Sequence, residues 1–311
     1  MNEKQHGTPS GNLRILILGS YGQLGVELER RFAGAGQITG VDRDTIDLAD
    51  PDQTRELLDR VQPNLILNAS AYTAVDRAET EPQIAQAINA EAPRVLAEEA
   101  LKLNALLVHY STDYVFDGSK QGPWEETDTP HPLSVYGATK LGGEQAVENA
   151  GGRYLIFRTS WVYGPHGNNF LLTMLRLARE RSQLKIVDDQ VGAPTTSIEL
   201  ARATHAVVMG ALEGRFGAAQ DWAGLYHMTC SGSTSWYGFA KAIFARAAVL
   251  PGVKAPELTP IGTEAYPTPA ARPRNSVLSN AKLEARFGLR MPGWELALDE
   301  VMSWLRDQSL K

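Results

Sequence analysis

A single cysteine, Cys230, stands among 311 residues, so no disulfide can form within the chain. That usage fits a reducing cytoplasm, where the protein is expected to reside. No apolar run approaches the roughly 18 residues that a membrane span needs. The first twelve residues are polar and lack the apolar stretch of a secretory signal, so no membrane association is expected. Positive charge is not in excess: the net charge is −6, which leaves no electrostatic footprint for nucleic acid. Internal repeats and low-complexity segments are absent. What the chain does have is a 43% hydrophobic content, enough for a sizeable core and two lobes.

Short apolar runs alternate with longer helical patterns. This predicts βαβ units, hence an α/β fold with a Rossmann-type doubly wound parallel sheet and a smaller α/β substrate-binding lobe. Strands are predicted at 14–18, 37–41, 64–68, 105–109 and 153–158. Helices are predicted at 23–33, 52–60, 82–103, 134–149, 169–180, 197–209, 235–248 and 294–306. Residues 118–132, rich in Pro, Gly and acids, read as a surface loop. The expected division is a disordered tail at 1–11, a dinucleotide-binding domain at 12–160, and a lobe at 161–311 with segments returning to the first domain. Ligands are expected between the lobes, outside the carboxyl ends of the strands.

Gly19-Ser-Tyr-Gly22-Gln23-Leu24-Gly25 follows the first apolar run. The first glycine permits a tight strand-to-helix turn, the second a close approach of backbone to a pyrophosphate, the third close helix packing. Asp42 ends the second strand about 20 residues on, where a carboxylate can bind the adenine ribose of NADH. Arg43 follows it and can instead pair the 2′-phosphate of NADPH, so use of both cofactors is expected. Asp47 and Leu48 are placed near the adenine. Asn68-Ala69-Ser-Ala71-Tyr72 ends the third strand, its small residues leaving room for the cofactor.

Tyr136 and Lys140 fall one helical turn apart on one face. A free phenol, with a pKa near 10, exchanges protons poorly at neutral pH. A neighbouring lysine cation is expected to lower it, and the lysine can also hold the nicotinamide ribose. Tyr136 would protonate a carbonyl oxygen as hydride arrives at carbon. Ser111 and Thr112, expected just beyond the fourth strand, offer a hydroxyl to the same oxygen.

These residues resemble the extended short-chain dehydrogenase/reductase superfamily. The strings 110–118, 132–144 and 158–164 are more specific, as are 167–170, 189–195, 233–237 and 272–276. They resemble the dTDP-4-dehydrorhamnose reductases, in order, over about residues 13–305. The resemblance implies reduction of the C4 ketone of dTDP-4-dehydro-β-L-rhamnose, with Thr112, Tyr136 and Lys140 as the catalytic trio. It also implies Asp113 and Trp161 at the sugar nucleotide. Arg272 is expected near the diphosphate, where a guanidinium can grip two oxygens. Asn275 is a polar group in the same proline-bounded segment, and Asn169 either touches the nucleotide or caps the helix that follows it. Other readings are a related sugar-nucleotide reductase or epimerase, and a non-catalytic partner subunit like the β subunit of methionine adenosyltransferase.

Some members of this family dimerise through Mg2+ held by glutamates. Glu27 and Glu199 match two of those positions, but the third falls on Trp304, which cannot ligate a hard cation. No essential metal is expected, Glu27 and Glu199 read as solvated helix charges, and the protein as a monomer or homodimer. His109 reads as the end of a buried strand, and Cys230 as a packed thiol.

Overall fold

The structure is a computed structural model that describes residues 13–247, 250 and 252–309. The expected tail at 1–11 lies outside the described residues. The first five strands are Arg14–Leu18 (β1), Gln37–Val41 (β2), Leu65–Asn68 (β3), Leu106–Thr112 (β4) and Arg153–Thr159 (β5). Shorter strands follow at Val162–Tyr163 (β6), Gln183–Val187 (β7), Val191–Gly192 (β8) and Thr195–Thr196 (β9). Gly224–His227 (β10), Thr234–Ser235 (β11) and Glu257–Ile261 (β12) complete the set. The early helices are Gln23–Phe32 (α1), Pro51–Val61 (α2), Val75–Ala78 (α3), Pro82–Gln86 (α4) and Ala92–Lys102 (α5). Val135–Ala150 (α6), Phe170–Glu180 (α7), Ser197–Leu212 (α8) and Ala219–Trp222 (α9) follow. The last three are Trp236–Ala247 (α10), Ala281–Phe287 (α11) and Trp294–Ser309 (α12).

Six parallel strands form the central sheet, in the order β10-β5-β4-β3-β1-β2. The chain winds outward in both directions from β1 and β3, so the crevice at a topological switch point opens between their carboxyl ends. The strands are continuous apolar runs because both faces are covered. Ile15 and Ile17 face Leu24, Leu28 and Phe32 of α1 with Leu200 and Val207 of α8. Their neighbours Leu16 and Leu18 face Leu57 and Leu58 of α2, Leu96 of α5 and Val147 of α6. A separate core joins Leu171 and Leu175 of α7, Phe239 and Ile243 of α10, and Leu298 and Val301 of α12. Among the described residues, no helix is long and apolar enough to cross a membrane.

Three differences from expectation have physical causes. The helix expected over 82–103 contains a π-helical turn, Ala87–Glu91. Pro93 has no N–H to give the carbonyl four residues back, and Ala92 donates to Ala87, five back. Strand β4 does not stop at His109: it continues through Ser111 and Thr112, which pair with Arg158 and Thr159 of a longer β5. His109 is therefore a mid-strand residue, fully buried. Strand β10, four residues long, adds to the sheet edge from the second half of the chain.

Candidate active site

The glycine loop is built as its spacing requires. Gly19 has φ +76, and a Cβ there would lie 2.9 Å from the Ser70 nitrogen. A Cβ on Gly25 would lie 2.0 Å from the Gly19 oxygen, so only glycine lets α1 start against this turn. Gly22 is the N-cap of α1 and supplies no side-chain cap, which leaves the first helical N–H groups free for an anion. The backbone shape and the donors present fit a dinucleotide pyrophosphate. Leu24 is buried in the core with Ile15 and Ile17 of β1. Gln23 ties the loop to the second half: its Oε1 accepts from Asn169 at 2.9 Å and its Nε2 donates to the Asn168 carbonyl at 3.3 Å.

Asp42 sits at the end of β2, with one carboxylate oxygen accepting from the Tyr21 N–H at 2.9 Å and the other from the Arg43 N–H at 2.8 Å. This fixes the carboxylate beside the glycine loop. Arg43 is exposed. Asp47 is also exposed and accepts from the Ala49 N–H at 2.9 Å, next to half-buried Leu48. After β3, Ala69 and Ala71 are half-buried, and Tyr72 is held through its backbone by both ends of the Asn89 amide.

Helix α6 starts where Ser134 accepts from the Gly137 N–H at 3.1 Å. It carries Tyr136 to the end of β4, where the phenol lies beside Thr112 and meets Tyr114 edge-on, 5.5 Å between ring centres. Thr112 donates to Asp113 at 3.0 Å and accepts from the Tyr114 N–H at 3.2 Å. Asp113 is buried, its Oδ2 has no hydrogen-bond partner among the described residues, and burial pushes its pKa up to about 6, opposed by the nearby Ser276 and Thr112 hydroxyls. An unpaired buried oxygen one residue from Thr112 is a vacant acceptor for a ligand hydroxyl.

The expected acidification of Tyr136 by Lys140 does not occur. Burial dominates and pushes the phenol up to about 12, opposed by the nearby Thr112 hydroxyl. The Lys140 ammonium turns away, donating to the Tyr110 carbonyl at 2.6 Å. Burial pushes Lys140 down to about 8, opposed by the charge of Glu144. A phenol with so high a pKa stays protonated, which suits a donor.

The remaining expected residues divide. Trp161 holds φ +47, uncommon for a large side chain, and its indole stacks on Trp236 with ring centres 3.5 Å apart. Asn169 is the N-cap of α7, accepting from the Leu172 N–H at 3.0 Å, and it also holds Gln23. Arg272 pairs with Asp76 at 2.7 Å, close to Tyr114, so one carboxylate already occupies the guanidinium expected at the diphosphate. Asn275 spends its amide on the Lys120 and Gly122 carbonyls at 2.8 and 2.7 Å and its oxygen on the Val277 N–H at 3.0 Å. It closes the 118–132 loop over this segment. Sequence reasoning gave no site role to His109, Asp76 or Ser276, which join the cluster through tertiary contacts from distant segments.

Glu27 and Glu199 are not solvated: they are 5% and 6% exposed. Glu27 bonds Arg30 at 3.0 Å and faces His166 at 3.8 Å, and the His166 ring meets Trp304 edge-on. Glu199 pairs with Arg202, which also reaches Glu300 at 2.8 Å. Each carboxylate is paired with an arginine one turn along its own helix and has a further neighbour from elsewhere in the chain, His166 beside Glu27 and Glu300 beside Glu199. Among the described residues, no group of three or more His, Cys, Asp or Glu is placed to hold a metal.

Known proteins share both sequence and shape with this chain. The family described as RmlD substrate binding domain matches residues 13–306. A dTDP-4-dehydrorhamnose reductase of Burkholderia thailandensis is 48% identical over 92% of this chain and 97% of its own length. The crystal structure of a dTDP-4-dehydrorhamnose reductase from Clostridium acetobutylicum superposes with a TM-score of 0.86 at 38% identity, covering 94% of this chain and 99% of that one. That of the Bacillus anthracis reductase, in complex with NADP, gives a TM-score of 0.85 at 36% identity, again over 94% and 99%.

Proposed function

The chain belongs to the dTDP-4-dehydrorhamnose reductase family, and on that premise we propose which of its residues carry the reaction. The enzyme is an NAD(P)H-dependent oxidoreductase that reduces the C4 ketone of dTDP-4-dehydro-β-L-rhamnose to dTDP-β-L-rhamnose, the last step of dTDP-L-rhamnose biosynthesis. When bound, the reduced nicotinamide supplies the hydride. The single observation that carries the assignment of roles is that Tyr136 and Thr112 come together at the carboxyl end of β4.

Tyr136 donates its proton to the C4 oxygen, and Thr112, turning its hydroxyl proton from Asp113, hydrogen-bonds the same oxygen and polarises it. Lys140 would hold the nicotinamide ribose. Gly19, Gly22, Gln23, Leu24 and Gly25 receive the pyrophosphate, and Asp42 and Arg43 the adenine ribose with or without its phosphate. Asp47, Leu48, Ala69, Ala71 and Tyr72 border the rest of the cofactor. Dual use of NADH and NADPH rests on Asp42 being held by two backbone N–H groups while Arg43 stays exposed beside it. Asp113 and Trp161 face the sugar nucleotide, Asp113 through its unpartnered oxygen. Arg272, Asn275 and Asn169 shape that site by holding its walls, through Asp76, the 118–132 loop and Gln23. Residues 12–160 serve the cofactor and 161–311 mainly the substrate. The enzyme works in the cytoplasm as a monomer or homodimer, without an essential metal.

The test follows oxidation of NADPH, then NADH, by its near-ultraviolet absorbance while freshly made dTDP-4-dehydro-L-rhamnose is supplied. Oxidation yielding dTDP-rhamnose, lost in Tyr136→Phe, is the expected result. Turnover in Tyr136→Phe at the wild-type rate would remove the assigned roles.

A further inference from the structure

Behind Lys140 lies a chain of buried polar groups that the reaction as described does not use. The Lys140 ammonium lies 3.4 Å from His109 Nε2. On the other side of the ring, His109 Nδ1 is 3.1 Å from Asn68 Nδ2. The Asn68 amide is oriented from its far end, where Oδ1 accepts from the Ser70 N–H at 3.3 Å and the Ser70 hydroxyl at 2.6 Å. A backbone N–H can only donate, so the oxygen must face it and the amide nitrogen must face the ring. That nitrogen also can only donate, which makes His109 Nδ1 an acceptor. A neutral imidazole with Nδ1 accepting carries its proton on Nε2. The ring is neutral, because burial and then the Lys140 charge hold its pKa well below the ordinary value. Its Nε2–H is thus aimed at Lys140 Nζ.

We propose that Ser70, Asn68 and His109 form a positioning relay for Lys140, locking one imidazole tautomer with its Nε2–H against Nζ, a hydrogen bond open only to the neutral amine, so that the relay favours the amine over the ammonium. The inference rests on the reading above that Lys140 anchors the nicotinamide ribose. An ammonium has three donors and no lone pair, so an N–H aimed at it offers no bond, whereas the neutral amine can accept that N–H. The Tyr110 carbonyl takes one Nζ–H at 2.6 Å and fixes the direction of the others.

The charged groups around Lys140 are few. Glu144, one turn along α6, favours the ammonium, but its carboxylate is bonded twice to Arg158 of β5, at 2.8 and 2.6 Å. From β4 comes neutral His109, and from β3 neutral Asn68. The π-helical turn contributes neutral Asn89, which donates to Thr139 at 3.1 Å. Burial, opposed by Glu144, leaves Lys140 at about 8, and the locked tautomer acts in the same direction as burial.

Two measurements test the relay. In wild-type protein labelled with [15N]histidine, imidazole shifts assigned by through-bond correlation report the tautomer directly, whether or not the enzyme turns over. The Nε2–H form of His109 near neutral pH is expected, and the Nδ1–H form would overturn the proposal. His109→Gln replaces the ring with an amide whose oxygen can accept from the ammonium. The alkaline limb of its kcat/KM profile is expected to move up by about one pH unit, a tenfold change in proton affinity. A folded His109→Gln with the wild-type limb would also overturn the proposal, since a merely structural role would lower activity without moving the limb. If His109→Gln fails to fold, the tautomer in wild-type protein decides. Absence of wild-type turnover would strike the proposed function and leave the tautomer result standing.

Discussion

Replacing Lys140 by methionine should make the protein more stable and nearly inactive. The side chain is 2% exposed, and burial takes its pKa from the ordinary 10.5 to about 8. Each decade of proton affinity is worth 1.36 kcal/mol, so the buried ammonium costs the fold about 3 kcal/mol below that pKa. Between the two values the unfolded chain holds a proton that the folded one lacks, so wild-type stability rises with pH through this window. Methionine fills a similar volume without charge but forfeits the hydrogen bond to the Tyr110 carbonyl, worth roughly 1 kcal/mol. The balance is a gain of about 2 kcal/mol near neutral pH, or roughly 3 °C in Tm for a chain of this size. Thermal unfolding followed by circular dichroism at several pH values reads it. The gap between Lys140→Met and wild type should close as pH rises toward the ordinary lysine value, while turnover falls at least about a hundredfold. A variant less stable than wild type at neutral pH, or a gap indifferent to pH, would refute the reasoning.

Three further outcomes are expected. Tyr136→Phe should bind cofactor normally and lose about 10²–10⁴ in turnover; direct cofactor titration beside the rate assay checks both halves. Asp42→Ala should raise the KM for NADH more than that for NADPH, and equal rises would place the carboxylate away from the ribose. Arg158→Met should cost about 3–5 kcal/mol, because it strands the buried Glu144 carboxylate that Arg158 holds at 2.6 Å. A denaturation midpoint unmoved by that change would show that Glu144 finds another partner.

The parts of the site that could be read along the chain are those whose partners are local. Gly19, Gly22 and Gly25 act within one turn, and Tyr136 and Lys140 within another. Thr112 was in view as a hydroxyl near a strand end, although β4 runs through it rather than stopping short. What escaped depends on strands meeting sideways. His109 and Asn68 are 41 positions apart and touch because β3 and β4 are neighbours in register. Arg272 looked free to grip a diphosphate, since nothing nearby in sequence opposes it. Its partner Asp76 is 196 positions away. The charge on Glu27 and Glu199 suggested solvent, yet α1 and α8 pack against the same core and shelter both.

The stack of Trp161 on Trp236 gives the enzyme an optical gauge of its own. The two indoles lie 6° from parallel with centres 3.5 Å apart, close enough for their excited states to mix. Such a pair gives a coupled circular dichroism band in the strong far-ultraviolet indole absorption, whose sign and size follow the relative orientation of the two indole transition dipoles. Trp161 precedes β6 and Trp236 opens α10, so any shift between these segments changes the band. On the proposed placement of Trp161 at the sugar nucleotide, occupancy of the site is expected to be visible in unlabelled protein, before a hydride has moved.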